Sequence, residues 1–283
     1  PDFNLVLAKR LREAGVKTMH FVCPSIWAWR AERVALIKAA VDHVLCLFPF
    51  EVPLLQAHGI EATCVGHPLA SVIPERPDGA AARQALGLSA SDVVLSLMPG
   101  SRAAEIDHLL PRFLAAARLL GQRHPHLRLL LPAVPAMRER IDAQIKRWGA
   151  DLPLQVLAGQ AHVAMAAADV VLVASGTATL EVALSKRPMV IAYHMSRLSW
   201  WLHQRKRLQP WVGLPNILAQ SFLVPELLQE QASPPALAQA VEDWLDQPER
   251  VERVQQSFAQ LHADLRRPTG TLAAAALAQV WHG

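Results

Sequence analysis

The feature that most constrains this chain is a repeated alternation. Short, continuous apolar runs rich in β-branched residues are separated by longer amphipathic stretches. Runs such as Val93–Met98 and Val170–Ala174 offer no polar face to water, so as strands they need cover on both sides. That points to parallel sheets with helices on both faces. By this pattern strands are expected at Thr18–Cys23, His43–Phe48, Ala62–Val65, Val93–Met98, Leu127–Leu131, Leu154–Leu157, Val170–Ala174 and Met189–Tyr193. Helices are expected between them, among others at Ala103–Gly121, Pro135–Trp148 and Thr177–Ser185. The fold class is α/β, doubly wound. Gly66-His67-Pro68 ends one run, Pro74 and Pro77 follow, and the alternation then restarts. Two Rossmann-like units result: an incomplete N-terminal one over 1–71 and a complete one over 72–266, with a closing helix over 267–283. After Tyr193 the pattern reads as wholly helical, punctuated by prolines at expected helix starts.

Composition narrows the class further. Hydrophobic residues make up 52% and charged residues 18%, enough for large cores and too apolar for disorder. The net charge of +4 is a mild excess that suits a phosphate-bearing substrate or an anionic surface, and no nucleic-acid-binding module is present. Cys23, Cys46 and Cys64 fall in apolar strand-like runs, which reads as buried reduced thiols and a cytoplasmic location. The apolar stretch from Val156 to Ser175 is interrupted by Gln160, His162 and Asp169, so it reads as helix then strand, not as a membrane span. The chain opens on Pro1 and passes directly into a helical pattern, from which a missing upstream segment is expected.

Two strand-to-helix corners carry the chemistry. Met98-Pro99-Gly100-Ser101-Arg102, with Glu105 beyond it, sits where a buried run gives way to a long helix. Ligands bind at that end of strands in open α/β sheets. Gly100 admits close approach of the backbone, the helix start presents free N–H groups, and Arg102 can fork onto a diphosphate. Alternatively this is an ordinary turn with Ser101 as N-cap and Arg102 solvated. Ala174-Ser175-Gly176-Thr177-Ala178-Thr179-Leu180-Glu181 follows a second buried run. Small hydroxyl residues there make a phosphate cradle, and Glu181, one turn on, can accept from ribose hydroxyls. The plainer alternative is a capped helix with Glu181 favouring the dipole. Neither corner is a Walker A or a Gly-x-Gly-x-x-Gly fingerprint, and the pair points to one diphosphate held from two sides.

Two further segments are rich in tryptophan. Pro24-Ser25-Ile26-Trp27-Ala28-Trp29-Arg30 ends the first strand and starts a helix, and indoles at i and i+2 cannot share a helix face, so either one faces a cleft or partner or both pack into neighbouring elements with Arg30 and Arg33 solvated. Arg197 to Leu208, with Trp200, Trp201 and Arg205, alternates apolar and basic residues, as a membrane interface or a packed helix would. Metal-binding spacings such as His-Glu-x-x-His or Cys-x-x-Cys are absent from the sequence.

In the order Pro24 to Arg30, Gly66-His67-Pro68, Met98 to Arg102, Ala174 to Glu181 and Leu214-Pro215-Asn216, these segments resemble the bacterial lipid-A-disaccharide synthases over essentially the whole chain. The Trp-Ala-Trp-Arg segment is the most family-specific, whereas the Ser-Gly-Thr…Glu motif is shared with other glycosyltransferases of the two-Rossmann (GT-B) fold. The resemblance implies an inverting transfer from UDP-2,3-diacylglucosamine to 2,3-diacylglucosamine 1-phosphate. The products are a β-1,6-linked disaccharide phosphate and UDP. It also implies no cofactor or metal, a peripheral place on the cytoplasmic face of the Gram-negative inner membrane, and a homodimer that can exchange C-terminal segments. Carried over, Gly100, Ser101 and Arg102 hold the diphosphate and Arg102 stabilises the leaving group. Ser175, Gly176 and Thr177 cap the diphosphate, Glu181 takes the ribose, and Asn216 lies close to the donor. Trp27, Trp29, Arg30, Trp200, Trp201 and Arg205 fall on the acceptor and membrane side. The family's proposed general base lies upstream of the Pro1-Asp2-Phe3-Asn4 segment, so this chain alone is expected to bind donor without turnover. The competing readings are a UDP-N-acetylglucosamine 2-epimerase or a peptidoglycan-type transferase, and a non-catalytic UDP-binding module. Disaccharide formation by this chain alone, followed with radiolabelled donor, would overturn the expectation that the upstream segment is needed.

Overall fold

A computed structural model describes residues 2–28, 31–195, 200, 205 and 208–282. The chain divides into two compact units. The first comprises Pro1–Val72, Trp201–Pro210 and His262–Gly283, and the second comprises Ile73–Trp200 and Trp211–Leu261.

The first unit carries a parallel sheet of β1 (Met19–Phe21), β2 (His43–Cys46) and β3 (Ala62–Cys64), in that spatial order. Successive residues of a strand face opposite sides, and β2 shows it. Val44 and Cys46 pack into a core with Leu5, Ile37, Leu55 and Ile60, while Leu45 joins Val65 and Ala276 on the other side. Ala276 belongs to the last helix, Thr269–His282. The stretch set apart in the sequence as a separate closing helix thus covers one face of the first sheet. His67 donates its N–H to Leu265 O at 2.9 Å, and the ring of His262 lies 2.7 Å from Ala70 O, tying this return to the strand ends. Cys64 is half-buried, not enclosed like Cys23 and Cys46, because β3 is an edge strand.

Glu51 anchors the loop beyond β2. It is 2% exposed, and its Oε2 accepts from Leu47 N (3.1 Å) and Phe48 N (3.0 Å) while Oε1 accepts from Trp27 Nε1 (3.0 Å). Burial raises its pKa to about 7, against the three donors that favour the charged form.

The second unit holds a six-stranded, wholly parallel sheet in the order β6-β5-β4-β7-β8-β9. Its strands are β4 (Val93–Met98), β5 (Leu127–Ala133), β6 (Leu154–Ala158), β7 (Val170–Ala174), β8 (Met189–Tyr193) and β9 (Glu226–Leu228). The bounds of β4, β7 and β8 match the sequence expectation residue for residue, because each is a continuous apolar run buried on both faces. The helix Ala103–Gly121 buries Ile106, Leu109, Leu110, Phe113, Leu114, Ala117 and Leu120, the three-and-four spacing of one helical face. Trp244 closes the same core at 1% exposure and donates its indole N–H to Met189 O at 3.0 Å.

One expectation fails here. The region after Tyr193 is not wholly helical, since β9 adds a parallel edge strand beside β8, with Ile191 opposite Glu226. Three half-buried residues carry no run long enough to announce a strand. The Pro24–Arg30 segment ends in a turn over 26–28, and beyond two residues outside the described set a 3-10 turn at Ala31–Arg33 runs into the helix Val34–Ala40, the helix start expected there.

Glu51→Ala strands three N–H donors and should cost roughly 2–4 kcal/mol, measured by urea unfolding. Because the folded pKa lies above the unfolded one, the Glu51 contribution is fully present below about pH 4.5 and is lost as pH rises through about 7. That slope should disappear in Glu51→Gln.

Candidate functional site

The winding of the second sheet sets where a ligand can sit. From β4 the chain steps outward to β5 and β6, then returns to the other side of β4 as β7 and continues to β8 and β9. Connections leave β4 and β7 in opposite directions, so a crevice opens between their C-terminal ends, the topological switch point of a doubly wound sheet. The segments leaving those two ends are Pro99–Arg102 and Ser175–Thr177.

Both corners line one cavity of about 350 Å³, within the range of small-molecule sites. Gly100, Ser101, Arg102 and Glu105 form one side, and Ser175, Gly176, Thr177 and Glu181 the other. Pro132 and Val134, at the end of β5, add apolar surface.

At the first corner Gly100 has φ +109°, a backbone state that disfavours side chains. A Cβ there would also run into the Glu105 carboxylate. Glu105 is the organiser of this turn. Its Oε2 accepts from Ser101 N (3.1 Å) and Arg102 N (3.3 Å), and its Oε1 pairs with Arg102 Nη1 at 2.6 Å. The N-cap residue is Arg102, not Ser101, and Glu105 three positions on reaches back to the cap N–H. The Arg102 side chain is 81% exposed, while that of Glu105 is 17% exposed. Glu105 therefore fixes one edge of the guanidinium and leaves the rest of its five-donor fork toward solvent. Tyr193, at the end of β8, stands close enough to feel both charges. Burial raises its pKa, Glu105 raises it further and Arg102 opposes.

At the second corner Gly176 and Thr177 are exposed, and the helix Ala178–Leu184 starts immediately after. Ser175 is half-buried and its donors are committed: its N–H goes to Ala192 O (3.0 Å) and its hydroxyl to Val212 O (3.1 Å). It shapes the corner and has no hydrogen left to give a phosphate. Glu181 lies on the cavity wall, half-buried, with its Oε2 3.8 Å from His162 Nε2.

Asn216 does not line this cavity. It is 0% exposed and every hydrogen-bonding position of its amide is used. Nδ2 donates to Val224 O and Glu226 Oε1, both at 2.9 Å, and Oδ1 accepts from Leu223 N (2.9 Å) and Val224 N (3.0 Å). It therefore has no hydrogen-bonding position left to offer a donor directly. Glu226, which nothing in the sequence singled out, is its partner.

Of the residues placed on the acceptor and membrane side, Trp27 lies in the first unit, hydrogen-bonded to Glu51 and edge-on to Phe50 at 5.3 Å. Trp200 is half-buried and assigned to the second unit, and Arg205 is exposed and assigned to the first. Trp29, Arg30 and Trp201 lie outside the described residues. Among the described residues no helix is long and apolar enough to cross a membrane.

Parallel α/β units with two small-residue corners meeting at a switch point define the class of Rossmann-like nucleotide-sugar enzymes that includes the GT-B glycosyltransferases. Solved structures share the fold. A UDP-GlcNAc 2-epimerase from Neisseria meningitidis bound to UDP-GlcNAc matches with TM-score 0.65 at 10% identity, over 99% of this chain and 73% of that one. Anabaena Alr3699/HepE in complex with UDP-glucose matches with TM-score 0.58 at 13% identity, over 99% and 76%. Sequence gives the finer placement: the chain belongs to the lipid-A-disaccharide synthetase family, whose model matches residues 1–280. It is 56% identical over 287 residues to the lipid-A-disaccharide synthase of Albidiferax ferrireducens, spanning 100% of this chain and 74% of that protein. It is 57% identical over 281 residues to that of Verminephrobacter eiseniae, spanning 98% and 72%. The family is one of glycosyltransferases of lipid A biosynthesis.

Gly100→Ala combines a left-handed backbone with a blocked Cβ and should cost roughly 2–4 kcal/mol. Gly159→Ala, at φ +69° with nothing within 4 Å of the added Cβ, should cost only about 1 kcal/mol. Equal losses in thermal unfolding would refute the steric block that the Glu105 carboxylate sets at Gly100.

Proposed function

We propose that the cavity between the two corners binds the UDP moiety of UDP-2,3-diacylglucosamine and that the enzyme transfers the sugar to 2,3-diacylglucosamine 1-phosphate. The observation that carries this is the convergence of Gly100–Arg102 and Ser175–Thr177 on one cavity. Family membership supports these substrates, and the geometry of the cavity supports the roles that follow.

The acceptor's 6-hydroxyl oxygen attacks the anomeric carbon, its proton passes to a base or to water, and UDP departs with the electrons of the broken carbon–oxygen bond. The β-phosphate gains negative charge as that bond breaks. Arg102 is the residue suited to meet it, because its guanidinium is held by Glu105 at one edge and otherwise faces solvent. Donors fixed before the reaction stabilise developing charge without reorganisation. The exposed Gly176–Thr177 segment offers the second side of the cradle. Glu181 accepts from ribose hydroxyls, a role that its place on the cavity wall and its 23% side-chain exposure support. Because both substrates carry acyl chains, the same reading puts the reaction at a membrane surface, with the enzyme peripheral on the cytoplasmic face.

The epimerase alternative shares the fold but only 10% identity, against 56% for the synthase. Calorimetric titration with UDP tests the site directly. Arg102→Ala should weaken binding about ten- to a hundredfold, the weight of a charge-assisted contact, and Glu181→Ala about tenfold, with melting temperatures preserved. Unchanged UDP affinity in both variants would rule this site out.

A further inference from the structure

The turn Trp211–Gly213 is where the second unit resumes after segment 201–210, which belongs to the first. Two successive N–H groups of that turn converge on one carboxylate. Val212 N donates to Glu226 Oε2 and Gly213 N to Glu226 Oε1, each at 2.9 Å. Glu226 is itself held twice: its backbone is part of β9, paired with β8 opposite Ile191, and its Oε1 also accepts from the saturated amide of Asn216 at 2.9 Å. Gly213 sits so close that a Cβ would meet Ile191 and, at 3.1 Å, Glu226 Oε1. On its far side the turn presents the Val212 carbonyl, which accepts the Ser175 hydroxyl at 3.1 Å. Ser175 opens the second corner of the cavity and is fixed to β8 through its own N–H.

We propose that Glu226 is a positioning residue for the diphosphate cradle. Its carboxylate sets the Val212–Gly213 turn, the Val212 carbonyl sets the Ser175 hydroxyl, and the Ser175–Thr177 corner is thereby held in the shape that receives an anion. Hydrogen bonds to an ionised acceptor are the stronger kind, and two parallel ones fix orientation as well as distance. Asn216 acts one step further back, by holding Glu226, which accounts for its burial away from the cavity. The chain Asn216–Glu226–Val212–Ser175 joins an edge strand, the turn re-entering the unit and the ligand corner. This inference rests on the UDP-binding reading of the cavity.

The test is calorimetric UDP binding by the wild-type protein, Glu226→Gln, Ser175→Ala and the double variant, with melting temperatures recorded for each. Glu226→Gln faces an amide N–H against one of the turn's donors and should weaken UDP about five- to tenfold. Ser175→Ala breaks the same chain at its last link and should weaken it comparably. The double variant should bind no more weakly than the weaker single one, since both act through one path. A purely structural role for Glu226 would instead lower the melting temperature while leaving the two effects on affinity multiplicative, and that outcome overturns the proposal. Wild-type UDP affinity in Glu226→Gln overturns it too. If Glu226→Gln does not fold, Ser175→Ala decides alone, since unchanged affinity there removes the link. Failure of the wild-type protein to bind UDP would sink the reading of the cavity itself, a result separate from these.

Discussion

Parallel pairing of β4 with β7 is the constraint on which the rest of the second unit depends. Parallel neighbours cannot be joined by a tight turn, so each connection must cross over through a helix, and every strand delivers its C-terminal end to the same edge. β5 and β6 lie to one side of β4, and β7, β8 and β9 to the other. The reversal leaves a crevice that neither set of crossovers covers. Both small-residue corners then fall at that crevice, with no contact between them needed to bring them together.

A single electrostatic device recurs in both units. Glu105 accepts from the N–H groups of Ser101 and Arg102, Glu226 from those of Val212 and Gly213, and Glu51 from those of Leu47 and Phe48. Each carboxylate lies across two consecutive amides of a segment that has no ladder or helix to satisfy them. Backbone donors outside a ladder or helix need other partners, and a side chain anchored nearby supplies the partner and the shape together. At the first corner this leaves the outward-facing Arg102 fork available to a ligand.

Family and fold come from different layers of information. At 10% and 13% identity, the epimerase and Alr3699/HepE share only the arrangement of strands and helices. At 56% and 57% identity, the synthases share more than half of the aligned residues, which places the chain in their family. The first unit makes the complementary point, since its small sheet is completed by a helix from the far end of the chain.

The sequence by itself determined whatever is written in consecutive residues. Continuous apolar runs set β4, β7 and β8, three-and-four spacing set the helix after β4, and the two corners followed as the places where one periodicity gives way to the other. Glu105, three residues beyond Arg102, was within reach of the same local reasoning. Tertiary structure alone decided what depends on partners far apart in the chain. It paired three unremarkable residues, Glu226–Leu228, with β8 and closed the amide of Asn216 on Val224 and Glu226. It also turned the Ser175 hydroxyl toward Val212 and laid the final helix on β2. The physical reason is range: propensity and periodicity act over a few residues, whereas a hydrogen bond or a packed face is indifferent to the length of chain between its halves.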